Sequence, residues 1–172
     1  MPSGGFISVS FKVEGQKEIS RNLATWGAKI ETMAPAWERV ADDLEGDFAL
    51  NMAQEGGYFG TFSKWAPLKP STVKDRTRKG YGGAHPILWR TGALANSLFK
   101  GAGSHVRKVG DNSLEVGSDL FYAGFHQSGT RKMVARKVVG ISSKRRTEIV
   151  KRLNEYIMDI ARQQGLDTSG GE

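Results

Sequence analysis

Three histidines, eighteen carboxylates and a scatter of serines are the side chains in this sequence with the means to do chemistry, and no cysteine joins them. Without cysteine, disulfides, thiol nucleophiles and thiolate metal sites are all excluded. His85, His105 and His126 lie far apart, and none has a histidine or carboxylate at ligand spacing. Gly80-Tyr81-Gly82-Gly83 resembles a phosphate-cradling loop only in composition, because Ala84-His85-Pro86 breaks any helix start behind it. The serines lack the strand-turn-helix setting of a nucleophile elbow. The densest carboxylates are Glu38, Asp42, Asp43, Glu45 and Asp47, and four of these fall within residues 42–47. That crowding on a turn and a half reads as a solvated helix face rather than a metal site. The expectation is a non-enzymatic protein with no cofactor and no metal; a lone nuclease carboxylate is the enzymatic alternative.

Charge recognition is the remaining chemistry. The net charge is +7, with a pI near 9.7. Residues 1–63 carry 5 Lys+Arg against 9 Asp+Glu, a net of −4, and residues 64–172 carry 20 against 9, a net of +11. Such asymmetry fits contact with nucleic acid, and equally a head-to-tail contact of one subunit's acidic half with the next one's basic half. Arg76, Arg78, Lys79, Arg145 and Arg146 are the candidates for phosphate contact without base readout. The alternative is a surface of solvated cations, since no recognition helix or RNA-binding sheet motif accompanies them.

The elements that must carry these groups follow from periodicity. Ile7, Val9, Phe11 and Val13 alternate with polar residues as a strand with one wet face. Ile19, Leu23, Trp26, Ile30 and Met33 form the stripe of one helix, and Trp37, Val40, Leu44, Phe48 and Met52, behind Pro35, that of a second. Thr91 is the expected N-cap of a short helix bearing Leu94 and Leu98. Residues 104–109 and 113–116 read as a hairpin turning at Gly110-Asp111-Asn112. Residues 122–126 suggest a helical turn, and 131–139 a further strand or a loop. Ser142 or Ser143 caps a last helix with Ile149, Leu153, Tyr156 or Ile157, and Ile160 inward, ending near Gly165. The reading is one α+β domain over 1–172: a small, mostly antiparallel sheet packed by two long N-terminal helices and one C-terminal helix, with a flexible tail at 166–172. No apolar run approaches the about 20 residues of a membrane span, and Met1 to Gly5 lack signal-peptide character, so a soluble protein made in a cytoplasm is expected.

Residues 56–90 are the odd stretch. Six glycines and three prolines in and around it forbid one long helix, yet Tyr58, Phe59, Phe62, Trp65, Tyr81 and Trp89 would leave much apolar surface in water. Disordered linkers are poor in aromatics. The segment reads as an extended arm packed either on a neighbouring subunit or, as an Ω-like loop, on its own core.

Short pieces of the chain then fall in a specific order: Trp65-Ala66-Pro67-Leu68; Leu88-Trp89-Arg90-Thr91-Gly92-Ala93-Leu94; Val116-Gly117-Ser118; and Tyr122-Ala123-Gly124-Phe125-His126-Gln127-Ser128-Gly129-Thr130. Over about residues 35–160 the chain resembles the virion morphogenesis and tail completion proteins of tailed bacteriophages, Mu-like and P2-like. It departs from them at Arg136-Lys137, where similar proteins are more apolar and carry proline. The resemblance implies a structural protein of the neck or tail end, assembled in the host cytoplasm as a homo-oligomeric ring, sixfold as the expected form, around the DNA path. Its partners would be itself, an adjacent connector, tail terminator or tail tube protein, and DNA passing without sequence readout, with no membrane. A basic, non-enzymatic DNA-binding accessory protein is the alternative. On the ring reading Tyr58, Phe59, Phe62, Trp65, Leu68, Trp89 and Leu94 are subunit-interface candidates, though Trp65 and Leu94 fit plain intrachain core as well. Truncating Trp65 is then expected to cost assembly more than folding.

Overall fold

Pro35 sits in the first turn of a helix, α1 (Ala34–Ala53), where its missing N–H has no helical partner to lose. Ala36, Trp37, Val40, Ala41, Leu44, Phe48 and Met52 recur every three or four residues along it and are all buried. The computed structural model describes residues 7–12, 32–60, 63–99 and 103–163. The expected helix ending at Met33 lies, apart from its last two residues, outside the described residues, as do Val13, Phe62, Gly165 and the tail at 166–172.

The stripe of α1 faces a three-stranded antiparallel sheet made of β1 (Ile7–Lys12), β2 (His105–Val109) and β3 (Ser113–Ser118) in the order β1-β3-β2. Val9 and Arg107 both pair with Val116, so Ile7, Val9, Phe11, Leu114, Val116, His105 and Arg107 share one side of the pleat. The Phe11 ring stacks on Trp37 of α1 with centroids 6.2 Å apart. The same side thus offers α1 both apolar side chains and, on the edge strand β2, a cation. A last helix, α5 (Ser143–Gln163), packs along α1. Its first turn is capped by Ser142, whose Oγ accepts from the Arg145 amide at 3.0 Å. Ile149 is buried on its inner stripe, with Leu153, Tyr156 and Ile157 packed against the core. The α+β class and the antiparallel sheet agree with the sequence.

The segment 56–90 differs from its reading as an irregular arm. It contains a helix, α2 (Pro70–Arg78), begun by another proline. Its first part folds back on itself: Gly56 and Lys64 form an isolated bridge, and the Trp65 amide donates to Glu55 O at 2.8 Å. Gly56 has φ +88°, and a Cβ there would lie 2.7 Å from Trp65 Cδ1, so only glycine lets the indole rest on this backbone. Trp65 Nε1 donates to Lys137 O at 3.0 Å, and Phe59 meets Phe48 edge-on with centroids 6.3 Å apart. Phe59, Trp65 and Leu94 are therefore buried in the core of their own chain and have little surface left for a neighbour.

Two local expectations shift. Gly92, with φ +79°, takes the cap position of the short helix α3 (Ala93–Asn96), and Thr91 Oγ1 only receives the Ala93 amide at 3.4 Å. Residues 131–139 form a loop, joined to the turn before it by the bridge between Thr130 and Met133. The turn at 122–126 is one helix, α4 (Ala123–Ser128).

Because the indole lies inside the subunit, Trp65→Ala is expected to destabilise the monomer itself by about 3–5 kcal/mol. The urea midpoint of the dilute protein measures it, and an unchanged midpoint would contradict the placement.

Candidate functional site

The acidic face of α1 is only partly solvated: Glu38 and Asp42 are exposed, Asp43 is half-buried, and Glu45 and Asp47 are buried. Arg107, reaching from β2, donates to Asp42 and Glu45 at 2.9 Å each and to Glu38. Arg145 of α5 grips Asp47 with two parallel bonds, Nε to Oδ2 at 2.7 Å and the terminal nitrogen to Oδ1 at 2.8 Å. Arg152 Nε lies 2.8 Å from Asp43 Oδ2. Asp47 is only 2% exposed and takes a third bond from the Tyr58 hydroxyl at 2.9 Å. The bonds to Asp47 raise the Arg145 pKa, against the opposing effect of burial. Around Arg107, burial lowers the pKa, but the bonds it donates to Glu38, Asp42 and Glu45 outweigh this and raise it. Burial, with the Asp47 bond, pushes the Tyr58 phenol up. Acidic and basic halves of the sequence meet here inside one subunit.

The net positive charge of the chain collects elsewhere. Residues 63–99 hold seven Lys+Arg against one Asp, and residues 130–137 hold four against none, a net of +6 and +4. The remainder of the chain is therefore −3 against the total of +7. Between these two segments runs a groove of about 720 Å³. One wall carries Leu68, α2, Leu88 and Leu94; the other carries Tyr122 and His126 of α4 and the loop from Lys132 to Arg136. Backbone and side-chain bonds hold the second wall in place. Gln127 donates to Val139 O at 2.9 Å and accepts from the Val138 and Val139 amides. Gly129, with φ +75°, ends α4 where a Cβ would lie 2.9 Å from the Ala135 nitrogen. Arg136 ties one wall to the other, donating through Nε to Ala66 O at 3.0 Å and through its terminal nitrogen to Pro67 O at 3.1 Å. Asn51 of α1 completes the frame by donating to Lys137 O at 3.1 Å.

Three of the four pieces that carried the family resemblance reach this groove, which Pro67 and Leu68, then Thr91, Gly92 and Leu94, then Tyr122 and His126 line; the fourth, Val116-Gly117-Ser118, lies in β3. Of the other sequence candidates, Tyr58 is tied to Asp47, Phe62 lies outside the described residues, and Trp89 is 40% exposed. Arg76 is not a surface cation. It is 4% exposed and donates to Tyr81 O and Pro86 O at 3.2 and 2.9 Å, because α2 turns it into the chain. Arg145 is likewise spent on Asp47. Arg78 and Lys79 are exposed and paired with Asp75, and Arg146 is exposed on the outer face of α5. Sequence reasoning missed Arg107, Asn51 and Gln127, whose roles depend on partners 62 to 87 positions away or on loop carbonyls. Arg136, read from the sequence only as a point where the resemblance lapses, is buried and donates to two backbone carbonyls. Among the described residues no helix is long and apolar enough to cross a membrane.

The model of the phage virion morphogenesis family matches residues 15–158, a span that contains α1, the segment 56–90, the groove and most of α5. No curated protein and no solved structure matches the chain.

Removing Arg145 would strand a buried carboxylate, so Arg145→Leu is expected to cost about 3–5 kcal/mol, and adding Asp47→Leu should recover much of that loss. Chemical denaturation of both variants checks it; a double variant no better than the single one refutes the pairing. A second prediction concerns Glu55, which accepts from the Ile87 amide at 2.8 Å and lies 2.7 Å from His85 Nδ1. Partial burial raises its pKa, but the bonds from His85 and Ile87 and the charges of His85 and Lys64 outweigh this, holding the carboxyl below its ordinary value. A lowered pKa means the stabilisation is present above the unfolded value and lost as pH falls through the folded one. The stability difference between the protein and Glu55→Gln should therefore be largest near neutrality and shrink on acidification below the carboxylate range.

Proposed function

The chain belongs to the phage virion morphogenesis family, and from that premise we propose that it is a non-enzymatic structural component of the neck or tail end, completing the tail or joining it to the head. In this reading copies assemble as a ring around the DNA path, next to a connector, tail terminator or tail tube protein. The single observation that carries it is the separation of charge: α1 and α5 neutralise each other inside the subunit, and the segments flanking the groove keep a net of +10 for an external partner. A subunit of this kind folds without its neighbours yet stays attracted to an anionic polymer or an acidic protein. Exposed aromatic side chains supply the other requirement of a ring, since Phe121 is 67% exposed and Trp89 stands out beside the groove. Ring contacts then come from these exposed side chains, with Phe59 and Trp65 acting through the fold of the subunit.

The basic face also favours the second reading, a DNA-binding accessory protein acting as a monomer or dimer. The two part company in solution. Sedimentation and negative-stain microscopy of the purified protein should show closed rings at high concentration, reduced in Phe121→Ala or Trp89→Ala without a matching fall in melting temperature. A protein that stays monomeric, and binds DNA tightly with a steep salt dependence, would instead establish the accessory reading.

A further inference from the structure

The groove beside α4 holds more than surface charge. Arg76 and Arg136 lie in its lining as buried guanidinium groups, while Arg90 and Lys132 stand exposed at its edge. Arg76 Nε is buried without a hydrogen-bond partner, although the same side chain satisfies Tyr81 O and Pro86 O through its terminal nitrogen. His126 Nδ1 is a second buried atom without a partner, on the opposite wall. Buried polar atoms left in this condition cost free energy. Leu68, Leu88, Leu94 and Met133 add apolar lining between the charged groups. A cleft that mixes a few placed donors with apolar walls, at this volume, has the character of a site for a small group or a short chain.

We propose that this groove is a docking site for a short extended segment of another virion protein, bearing carboxylates alternating with apolar side chains. The carboxylates would reach the cations at the rim, Arg90 and Lys132, and the apolar side chains would enter between Leu68 and Met133. A duplex phosphate backbone meets the exposed Lys and Arg side chains, but a group 4% exposed inside a cleft is open only to something as slim as a side chain. Among the described residues, a second copy of this chain is the poorer donor on charge grounds. The α1 carboxylates Glu38, Asp42, Asp43, Glu45 and Asp47 are engaged by Arg107, Arg145 and Arg152, and Asp75, Glu148, Glu155 and Asp159 have Lys or Arg partners of their own. The site does not require the ring, and a monomer would carry it.

The test uses the full chain and a fluorescent octapeptide of alternating glutamate and leucine, with a glutamine-and-leucine peptide of the same length as its control. Fluorescence anisotropy should show saturable binding of the acidic peptide and at least about tenfold weaker binding of the control. Arg76→Leu also removes bonds to two backbone carbonyls and risks unfolding, so the informative variant is Arg90→Glu with Lys132→Glu. It should lose at least about tenfold in affinity at an unchanged melting temperature. Short duplex DNA should compete poorly, and ring formation, followed separately by sedimentation, should be indifferent to the peptide. Equal binding of both peptides, full competition by DNA, or no saturable binding up to about 1 mM overturns the proposal. So does self-association abolished by the same rim variant, which would give the groove to a second copy.

Discussion

A carboxylate buried to 2% exposure has to be answered by a cation at hydrogen-bonding distance, and in this protein Arg145 answers Asp47. Taking the charge of Asp47 out of water costs several kcal/mol unless the geometry repays it. The two parallel bonds from one guanidinium, with the Tyr58 hydroxyl as a third donor, provide that geometry. The pair fixes how α5 lies along α1, and through Tyr58 it also fixes where the chain leaves α1 toward the groove. Arg107 repeats the device from the sheet side, on Glu38, Asp42 and Glu45. The long helix is thus held between two arginines that enter from different elements.

The charge economy of the whole subunit follows. Arg107 of β2 and Arg145 and Arg152 of α5 are engaged by carboxylates of α1, whereas Lys108, Lys144, Arg146 and Lys151 stay exposed. The net excess of positive charge nonetheless lies in the segments flanking the groove, where Arg90, Arg131 and Lys132 are exposed. That arrangement bears on how copies would associate. Attraction between an acidic half and a basic half operates chiefly within a chain, leaving exposed aromatic side chains and the basic face for contacts between chains. Residues of three of the short pieces that carried the resemblance line the two walls of one cleft.

Much of the scaffold was legible from periodicity. The stripe of α1 from Trp37 to Met52, the alternation in β1, the hairpin at Gly110-Asp111-Asn112 and the serine cap of α5 each rest on local spacing, and the structure has them all. Of the aromatics of residues 56–90, Tyr81 and Trp89 are exposed, whereas Tyr58 is half-buried and Phe59 and Trp65 are sheltered. Which surface sheltered them was not legible, because an indole carries no mark of whether its pocket lies in the same chain. Gly56 was the nearest signal, as a position where the backbone needs room for Trp65. Arg76 and Arg145 misled for a related reason: a basic residue in a charged run looks solvent-facing until α2 or α5 turns it inward.

The amino-acid order by itself determined the type and approximate limits of the elements, the lack of any thiol chemistry, the excess of positive charge and the resemblance to phage morphogenesis proteins. These depend on neighbours a few positions apart or on composition, and short-range sterics and hydrophobic period decide them. Only the tertiary structure decided which charges cancel, which aromatics are core and which short pieces share a groove. Those outcomes are set by pairs such as Arg145 with Asp47, separated by 98 positions, whose meeting depends on the packing of whole elements against one another.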